Sequence, residues 1–516
     1  HEMSGGMKQR VMIAIALACE PELLIADEPT TAVDVTIQAQ VLELIHRLQQ
    51  DTGMAILIIS HDLGVVSEIV DHVAVMYAGH IVEQADRDTF FSEPKHPYSQ
   101  KLFASLPGSS NRDQALAIIK GTVPSLAQEF LGCRFADRCD SAWKPCHDTA
   151  PRWIELSAGN RVRCHLYDPE VSQTAPTQER VETKQESVTF QPAGEDVVLE
   201  VADLKVHFPV LKGLFKRVVG QVKAVDGVSF TLGAGHTLAL VGESGCGKTT
   251  AGKGILQLIK LTAGSVRYRG EELTGLSRKQ MHPYRSELQI IFQDPFSSMN
   301  PRMMVGDIIE EGMATLGAGR GGDRIERIEQ LLAQVGLHPE YRLRYPHEFS
   351  GGQRQRICIA RALAVEPKFI VCDEPTSALD VSVQAQILNQ LRQLQTDLGL
   401  SYLFISHNLS VVEYLAHDIA VMYLGRIVEQ GAMAEIMDNA RHPYTQALLS
   451  AVPVIDKATK REVIRLVGDM PSPLNPPSGC HFHPRCSRSM PVCRLTYPDT
   501  VNITDTHITC CHLYTA

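Results

Sequence analysis

The sequence has no apolar run near the roughly 18 residues that a membrane-spanning helix needs. Its longest runs, Val11–Ala18 and Ala55–Ile59, predict a buried helix and a buried strand. Positive charge is not in excess either: the formal net charge is −10, which disfavours a nucleic-acid-binding surface. Nothing at the start of the given sequence reads as a secretory signal, although we expect part of the first unit to precede it. We therefore expect a reducing compartment, in which the 13 cysteines would not form structural disulfides.

One block of sequence occurs twice, and the two copies are 346 positions apart. The offset stays constant, so no insertion separates the copies. A glycine-rich loop precedes the second copy, and the same offset would place the first copy's loop before residue 1. We expect about 150 residues of the first unit to precede this sequence, since the second unit begins near residue 197 and its repeated block at 347. The repeated segments are His1–Gly6 and His347–Gly352, Asp27–Thr30 and Asp373–Thr376, His61 and His407, and His96–Tyr98 and His442–Tyr444.

The 516 residues divide into five parts on composition and repetition. A stretch rich in Gln, Glu, Thr, Ser and Pro separates the two copies, and such a composition predicts a flexible linker. The predicted parts are the rear of a first unit (1–95), a Cys-containing extension (96–167), the linker (168–196), a complete second unit (197–441) and a second extension (442–516).

Three short apolar runs of the second unit end in polar residues. They are Thr237–Val241, Lys368–Cys372 and Tyr402–Ile405. Continuous apolar runs are typical of parallel strands covered on both faces. Ligands bind at the carboxyl ends of such strands, so the three polar clusters should meet at one edge. The sequence predicts an α/β fold with mainly parallel sheets.

The loop after the first of these runs fits the phosphate-binding pattern G-x-x-x-x-G-K-[ST]. Its backbone N–H groups would surround the phosphates of ATP, while Lys248 would reach the β- and γ-phosphates and Thr249 would coordinate Mg²⁺. The predicted nucleotide-binding residues here are Gly242, Glu243, Ser244, Gly245, Cys246, Gly247, Lys248, Thr249 and Thr250.

Two adjacent carboxylates follow the second run. Asp373 would hold Mg²⁺ indirectly, and Glu374 would orient and deprotonate the attacking water. Gln293 follows the run Leu288–Phe292, and its amide could contact both Mg²⁺ and water. The predicted magnesium set is Thr249, Gln293 and Asp373.

These motifs resemble, in order and approximate spacing, those of an ABC-transporter ATPase. The resemblance covers nearly the whole chain, and it implies tandem P-loop ATPase units. The His-Pro-Tyr segments with their Cys-bearing tails resemble the C-terminal extension of the dipeptide/oligopeptide importer group, which also includes nickel and glutathione importers. The matching segments are Gly242–Thr249 (Walker A), Gln293 (Q-loop), Phe349–Gln353 (signature), Phe369–Glu374 (Walker B), Ser377–Asp380 (D-loop) and His407 (switch histidine).

The resemblance implies that each ATP lies between the Walker A loop of one unit and the signature of the other. Signature glycines start a helix whose free N–H groups meet the γ-phosphate. Met7 stands in the first signature where Gln353 keeps the usual residue. His407 would contact the γ-phosphate. The remaining implied nucleotide-site residues are Ser4, Gly5, Gly6, Ser350, Gly351, Gly352 and Asp380, with Asp27, Glu28, Asp34 and His61 in the first unit.

The implied function is ATP hydrolysis that powers import of peptides or a similar small solute. Partners would be two transmembrane permease subunits and an extracytoplasmic solute-binding protein, with no nucleic acid. The protein would lie peripherally on the cytoplasmic face of the inner membrane, and its ATPase units would pair within the full-length chain. Alternatives are a soluble tandem ATPase in translation or DNA repair, and an inactive fragment. The sequence identifies neither the solute nor the adenine-stacking residue, for which Phe208 is only a candidate.

Eight cysteines form two sets with the same intervening lengths of five, six and seventeen residues. Four thiolates can hold an iron–sulfur cluster or Zn²⁺. Close C-x-x-C pairs, usual in structural zinc sites, are absent, so a 4Fe–4S cluster is favoured over zinc or metal-free packing. We expect a structural or redox-sensing role distant from ATP chemistry. The sets are Cys133, Cys139, Cys146 and Cys164, and Cys480, Cys486, Cys493 and Cys511.

Overall fold

The computed structural model describes residues 5–30, 34–108, 112, 114–157, 159–172, 196–212, 215, 217–317, 321–377, 379–452 and 462–515. Ser4, Ala378 and residues 173–195 of the predicted linker lie outside these ranges. Among the described residues, no helix combines the length and the apolar character that crossing a membrane requires.

The first part of the chain alternates helices and short strands before a largely irregular Cys-containing region. Its elements are α1 (Gly5–Leu17), β1 (Leu23–Asp27), α2 (Val35–Thr52), β2 (Ala55–Ile59), α3 (Leu63–Ile69), β3 (His72–Tyr77), β4 (His80–Asp86), α4 (Arg87–Ser92), α5 (Pro97–Ala104), α6 (Lys144–Asp148), β5 (Ile154–Ser157) and β6 (Asn160–Val162).

The second part repeats this order after a set of elements of its own. These elements are β7 (Val197–Lys212), β8 (Arg217–Gly233), β9 (Thr237–Val241), α7 (Lys248–Ile255), β10 (Ala263–Tyr268), β11 (Glu271–Glu272), α8 (Arg278–Met281), α9 (Tyr284–Glu287), β12 (Leu288–Ile291), α10 (Val305–Leu316) and α11 (Gly321–Gln334). The repeated elements are α12 (Gly351–Leu363), β13 (Phe369–Asp373), α13 (Val381–Leu398), β14 (Ser401–Ile405), α14 (Leu409–Leu415), β15 (Asp418–Tyr423), β16 (Arg426–Ala432), α15 (Met433–Asn439), α16 (Pro443–Ser450), β17 (Val501–Asn502) and β18 (Ile508–Thr509).

The central sheet of the second part has the strand order β12-β13-β14-β9-β15-β16-β18-β17. Pairing is parallel from β12 to β15, as predicted for the three apolar runs, and antiparallel beyond β15. Both faces are covered. In β13, Phe369 and Val371 enter one core cluster, while Ile370 and Cys372 enter the cluster on the opposite face. This double burial explains the continuous apolar runs in the sequence.

A second sheet in this part is antiparallel, with the order β11-β10-β7-β8. The expectation of mainly parallel sheets is wrong for these strands, so the fold is mixed α/β. The reason lies in burial: along β8 buried residues such as Val228, Phe230 and Leu232 alternate with exposed ones. A search for continuous apolar runs finds strands buried on both faces and misses strands buried on one.

Two separate sheets occupy the first part. β1 pairs with β2 in parallel, and β3-β4-β6-β5 is antiparallel. In the second part, β9 lies between β14 and β15, which are the equivalents of β2 and β3. In the first part, no described strand lies between β2 and β3. Leu23, Ile25 and Leu57 are 52%, 59% and 52% exposed. Their counterparts 346 positions later pack beneath the antiparallel sheet and α7 and are fully buried, so this apolar face is solvated only in the first part. Those counterparts are Phe369, Val371 and Leu403.

Each extension is continuous with its sheet. β6 pairs with β4, and β18 pairs with β16 at the equivalent strand. The His-Pro-Tyr segments begin α5 and α16, where the side chains of His96 and His442 accept the N–H of the tyrosine two residues on. Glu83 and Glu429 accept the backbone N–H of those histidines. The same polar network is thus built twice.

Candidate functional site

The phosphate-binding loop joins β9 to α7 at the carboxyl edge of the parallel strands. Gly242 and Gly247 have φ of 150° and 110°. A Cβ added to them would lie 2.1 Å and 2.0 Å from the carbonyl oxygens of Met422 and Ala224. Only glycine fits either position. The ammonium group of buried Lys248 donates to the carbonyl oxygens of Gly242, at 2.6 Å, and Glu243, at 3.0 Å.

The next residue of the loop contacts the end of β13. The Thr249 hydroxyl donates to Asp373 Oδ1 at 2.9 Å, and Thr250 is half-buried on the first turn of α7. Burial raises the pKa of Asp373, and the neighbouring Glu374 adds to the rise. A hydroxyl and a carboxylate oxygen at one edge are ligands that Mg²⁺ accepts, so this pair fits the predicted site.

Glu374 contacts both Gln293 and His407. Gln293 donates to its Oε2 at 2.9 Å, and Nδ1 of His407 lies 3.1 Å from its Oε1. Its φ of 46° places it in the left-handed region, where a non-glycine residue is strained and often functional. Burial acts to raise the pKa of Glu374. The contacts with His407, the charge of Lys248 and the Gln293 hydrogen bond outweigh it, so the pKa is lowered and the group stays ionised.

The second signature segment starts α12 as predicted. Ser350 is its N-cap and accepts the N–H of Gln353, whose side chain returns to the Ser350 N–H. Gly351 and Gly352 form the first turn. In the first part Gly5 and Gly6 begin α1, and Ser4 lies outside the described residues.

The first part repeats the glutamate–histidine geometry in a more exposed form. Asp27 ends β1, Glu28 follows with φ of 45°, and His61 Nδ1 lies 2.8 Å from Glu28 Oε1. Side-chain exposure of Glu28 is 40%, against 14% for Glu374. The sequence repeat therefore predicts this local geometry correctly.

Two D-loop aspartates contact the other part of the chain. Buried Asp34 accepts the backbone N–H of Ser244, within the phosphate-binding loop. Burial raises the Asp34 pKa, and the charge of Lys248 opposes that rise. Asp380 caps α13 and lies close enough to Tyr98 of the first part to contribute to that phenol's raised pKa, of which burial is the main cause. The two parts thus approach each other at both D-loops.

Sequence inspection missed two residues that hold the phosphate-binding loop. The Tyr444 hydroxyl accepts the N–H of Glu243 at 2.9 Å, and Arg485 forms a bidentate ion pair with the Glu243 carboxylate. Arg485 directly precedes Cys486, so the expectation that the second Cys set lies far from ATP chemistry is wrong. The sequence signal that could have indicated a positively charged partner is Glu243, an acidic residue inside the loop. Phe208, the adenine-stacking candidate, is half-exposed on β7 opposite Val222.

Each Cys set gathers in space. The first set lines one cavity together with His96, Phe135 and Trp143. Burial raises the pKa of Cys164 to about 12, with the other three thiols adding to it, and the second set acts on Cys480 in the same way. Among the described residues, no group of three or more His, Cys, Asp or Glu side chains is arranged to hold a metal ion.

Two family models match the chain. The ABC transporter model matches residues 1–31 and 225–377. The model described as the oligopeptide/dipeptide transporter C-terminal region matches residues 82–146 and 428–493. Both models match in two places, in line with the repeat.

Curated relatives match most of the chain. "Glutathione import ATP-binding protein GsiA" of Pectobacterium atrosepticum is 44% identical over 475 residues, covering 92% of this chain and 68% of the relative. The protein of the same name from Escherichia coli (strain K12) is 44% identical over 473 residues, with the same coverage. A dimeric, post-hydrolysis structure of the ATP-binding cassette MJ0796 aligns with 46% of this chain and 98% of that chain, at 24% identity and a TM-score of 0.41.

The fold and the converging motifs define a P-loop ATPase of the ABC class. The chain belongs to the ATP-binding proteins of ABC transporters, in the group that carries the oligopeptide/dipeptide transporter C-terminal region. ATP with Mg²⁺ is its substrate, and the resemblance inferred from the motifs is confirmed.

Proposed function

We propose that the chain energises import of a short peptide, with glutathione as the first candidate. The observation that carries this proposal is the 44% identity to glutathione import ATP-binding proteins over 92% of the chain. A nucleic-acid ATPase is disfavoured because the oligopeptide/dipeptide transporter region occurs twice. The chain's own residues give no information on the solute, since the ATPase never contacts it.

Uptake of radiolabelled glutathione tests the solute. A strain lacking the gene should lose uptake, and the natural full-length gene should restore it. The same gene carrying Glu374→Gln is the matched control and should not. Labelled dipeptide and Ni²⁺ serve as competing solutes. Restored uptake of either one without glutathione uptake would reject glutathione as the solute.

Proposed residue roles follow from the geometry. Lys248 and the loop N–H groups bind the β- and γ-phosphates, replacing the carbonyl contacts that the ammonium group makes here. Thr249 and Asp373 hold Mg²⁺, with Gln293 as a further contact. Glu374 takes a proton from the attacking water, while His407 orients that carboxylate and contacts the γ-phosphate. Catalysis is then positioning and charge neutralisation rather than covalent chemistry.

We infer that the two parts are tandem ATPase units that pair within the full-length protein. The contact between Asp34 and Ser244 supports a shared site in which the signature at Ser4–Gly6 faces the Walker A loop of the second unit. The permease partners, the solute-binding protein and the peripheral position on the cytoplasmic face of the inner membrane belong to the same proposal. Co-purification with two membrane subunits would support it; association with ribosomes or DNA instead would contradict it.

Limited proteolysis tests the division into domains. The polar composition of 168–196 predicts the first cut there, because such a backbone gains little from packing. A stable fragment beginning near Val197 is the expected product, identified by intact mass. A first cut inside 197–441 would contradict the proposed boundaries.

We also propose that each Cys set binds a 4Fe–4S cluster. What supports this is that all four cysteines of the first set line one cavity. A cluster spreads its ligands over four iron atoms, so its thiolates stand further apart than the four ligands of one zinc ion. Close C-x-x-C pairs, usual in structural zinc sites, do not occur in either set, so the cluster is the first candidate and zinc the alternative.

Anaerobic purification provides the measurement. The expected result is brown protein with iron and sulfide near four each per extension, by the stoichiometry of the cluster. Cys486→Ser should lower the iron content by half, because only the second Cys set loses a ligand. Combining it with Cys139→Ser should remove the remaining iron. Stoichiometric zinc without iron would move both sites to the zinc class, and metal-free protein would end the proposal.

A further inference from the structure

A buried ion pair joins the second extension to the phosphate-binding loop. Arg485 Nη1 lies 2.6 Å from Glu243 Oε2, and Nη2 lies 3.0 Å from Oε1. The two side chains are only 5% and 4% exposed. The partners are 242 positions apart, so this contact is purely tertiary. A bidentate arginine–carboxylate pair fixes both direction and distance, unlike a single charge contact.

The base of this contact is rigid. The Tyr444 hydroxyl accepts the backbone N–H of Glu243, so this residue is held by hydrogen bonds to both its main chain and its side chain. Tyr444, Tyr423 and Phe482 pack against one another with ring centroids 4.7 to 5.4 Å apart. The guanidinium of Arg485 lies 6.0 Å from the centre of the Tyr423 ring. The second extension and the phosphate-binding loop are therefore joined through both the main chain and the side chain of Glu243.

The charge of the Glu243 carboxylate bears directly on the binding of ATP. Glu243 is the second residue of a loop that binds a polyanion, and an unneutralised carboxylate there would oppose the triphosphate. Burying an ion pair costs desolvation, and a well-packed apolar pair often does as well for stability. The stability of the fold alone therefore does not require an ion pair at this point.

We propose that Arg485 is a positioning residue for ATP binding: it neutralises Glu243 and holds the phosphate-binding loop in its binding shape. The second extension thereby sets the affinity of the Lys248 site for MgATP. Arg485 acts through the Glu243 carboxylate, so its effect should fall on binding rather than on the chemical step.

Matched control residues exist in the same chain. Arg138 is the counterpart of Arg485 one repeat earlier, and it donates to the carbonyl oxygens of Ile119, Lys120 and Gly121 rather than to a loop carboxylate. Arg488 is exposed on the second extension, three residues from Arg485. Arg138→Ala and Arg488→Ala should leave MgATP affinity at the Lys248 site unchanged.

MgATP titration and steady-state hydrolysis measured on the whole protein test the proposal. Arg485→Ala should raise the Kd about 10-fold or more, the size typical of losing a supporting contact to a binding group. KM should rise with it while kcat changes less than about twofold. Adding Glu243→Gln to Arg485→Ala should recover part of the affinity, because it removes the carboxylate that Arg485 no longer neutralises. The split between KM and kcat separates positioning from a merely structural role, which would lower the folded fraction instead.

Several outcomes would overturn the proposal. One is a folded Arg485→Ala protein with the wild-type Kd, and another is a double variant no tighter than Arg485→Ala. If Arg485→Ala does not fold, Arg485→Lys is used instead, since lysine keeps the positive charge but cannot form the bidentate pair. A several-fold rise in KM with nearly constant kcat would then support the role. An unchanged KM, or a loss confined to kcat, would contradict it.

Discussion

Glu374→Gln is expected to lower kcat for ATP hydrolysis by roughly 10²–10⁴-fold, the usual contribution of a general base. MgATP binding should persist, because Lys248 and the loop contact phosphate while Glu374 acts on water. The replacement is nearly isosteric and keeps one oxygen, which can accept from Gln293 or from His407. What it removes is the basic carboxylate, whose lowered pKa keeps it ionised at neutral pH.

The experiment measures phosphate release and MgATP affinity in parallel on the natural full-length protein. Glu340→Gln is the matched control: this glutamate is 85% exposed in the same unit and should have no effect. ATP should accumulate unhydrolysed on Glu374→Gln protein during a chase with unlabelled nucleotide. Turnover near the wild-type rate at the Lys248 site would remove Glu374 from the role of base.

The parts of the site that lie close together in sequence, or follow buried strands, were predictable. Strands β9, β13 and β14 are buried along their whole length and mostly apolar, because the sheet is covered on both faces. Their carboxyl ends must meet at one edge, so Lys248 and Glu374 could be assigned to one site from the sequence alone. The structure adds the strain at Glu374 and its hydrogen bonds to Gln293 and His407.

Contacts between distant segments could not be predicted in the same way. Nothing in a single sequence indicates that Arg485 pairs with Glu243, since an arginine beside a cysteine set is most simply a solvated charge. Asp34 was assigned by its position after the first Walker B segment. Its contact with Ser244 depends on how the two parts of the chain pack, which no local pattern encodes. The antiparallel β7–β8 pair was missed because its apolar residues alternate.

Lys248→Ala should weaken MgATP binding about 10- to 100-fold. The side chain ends within a ring of loop carbonyls, 2.6 Å from Gly242 O, where its ammonium group is placed to meet a phosphate oxygen. A hydrogen bond to a charged group contributes about 1.5–3 kcal/mol, and each 1.4 kcal/mol is tenfold in affinity. Hydrolysis should fall as well, because the same charge stabilises the γ-phosphoryl group as it leaves.

Lys260→Ala is the matched control for this prediction, since Lys260 is an exposed lysine shortly after α7 and should leave the Kd unchanged. Isothermal titration with MgATP, beside thermal unfolding without nucleotide, separates lost affinity from lost folding. The Lys248 ammonium group also donates to two loop carbonyl oxygens, so the thermal unfolding measurement shows whether its removal destabilises the loop. Wild-type affinity in a folded Lys248→Ala protein would show that the loop amides alone hold the phosphates. Lys248→Ala is thus expected mainly to lose MgATP affinity, whereas Glu374→Gln is expected mainly to lose hydrolysis. This difference distinguishes a phosphate-binding cation from a base that acts on water.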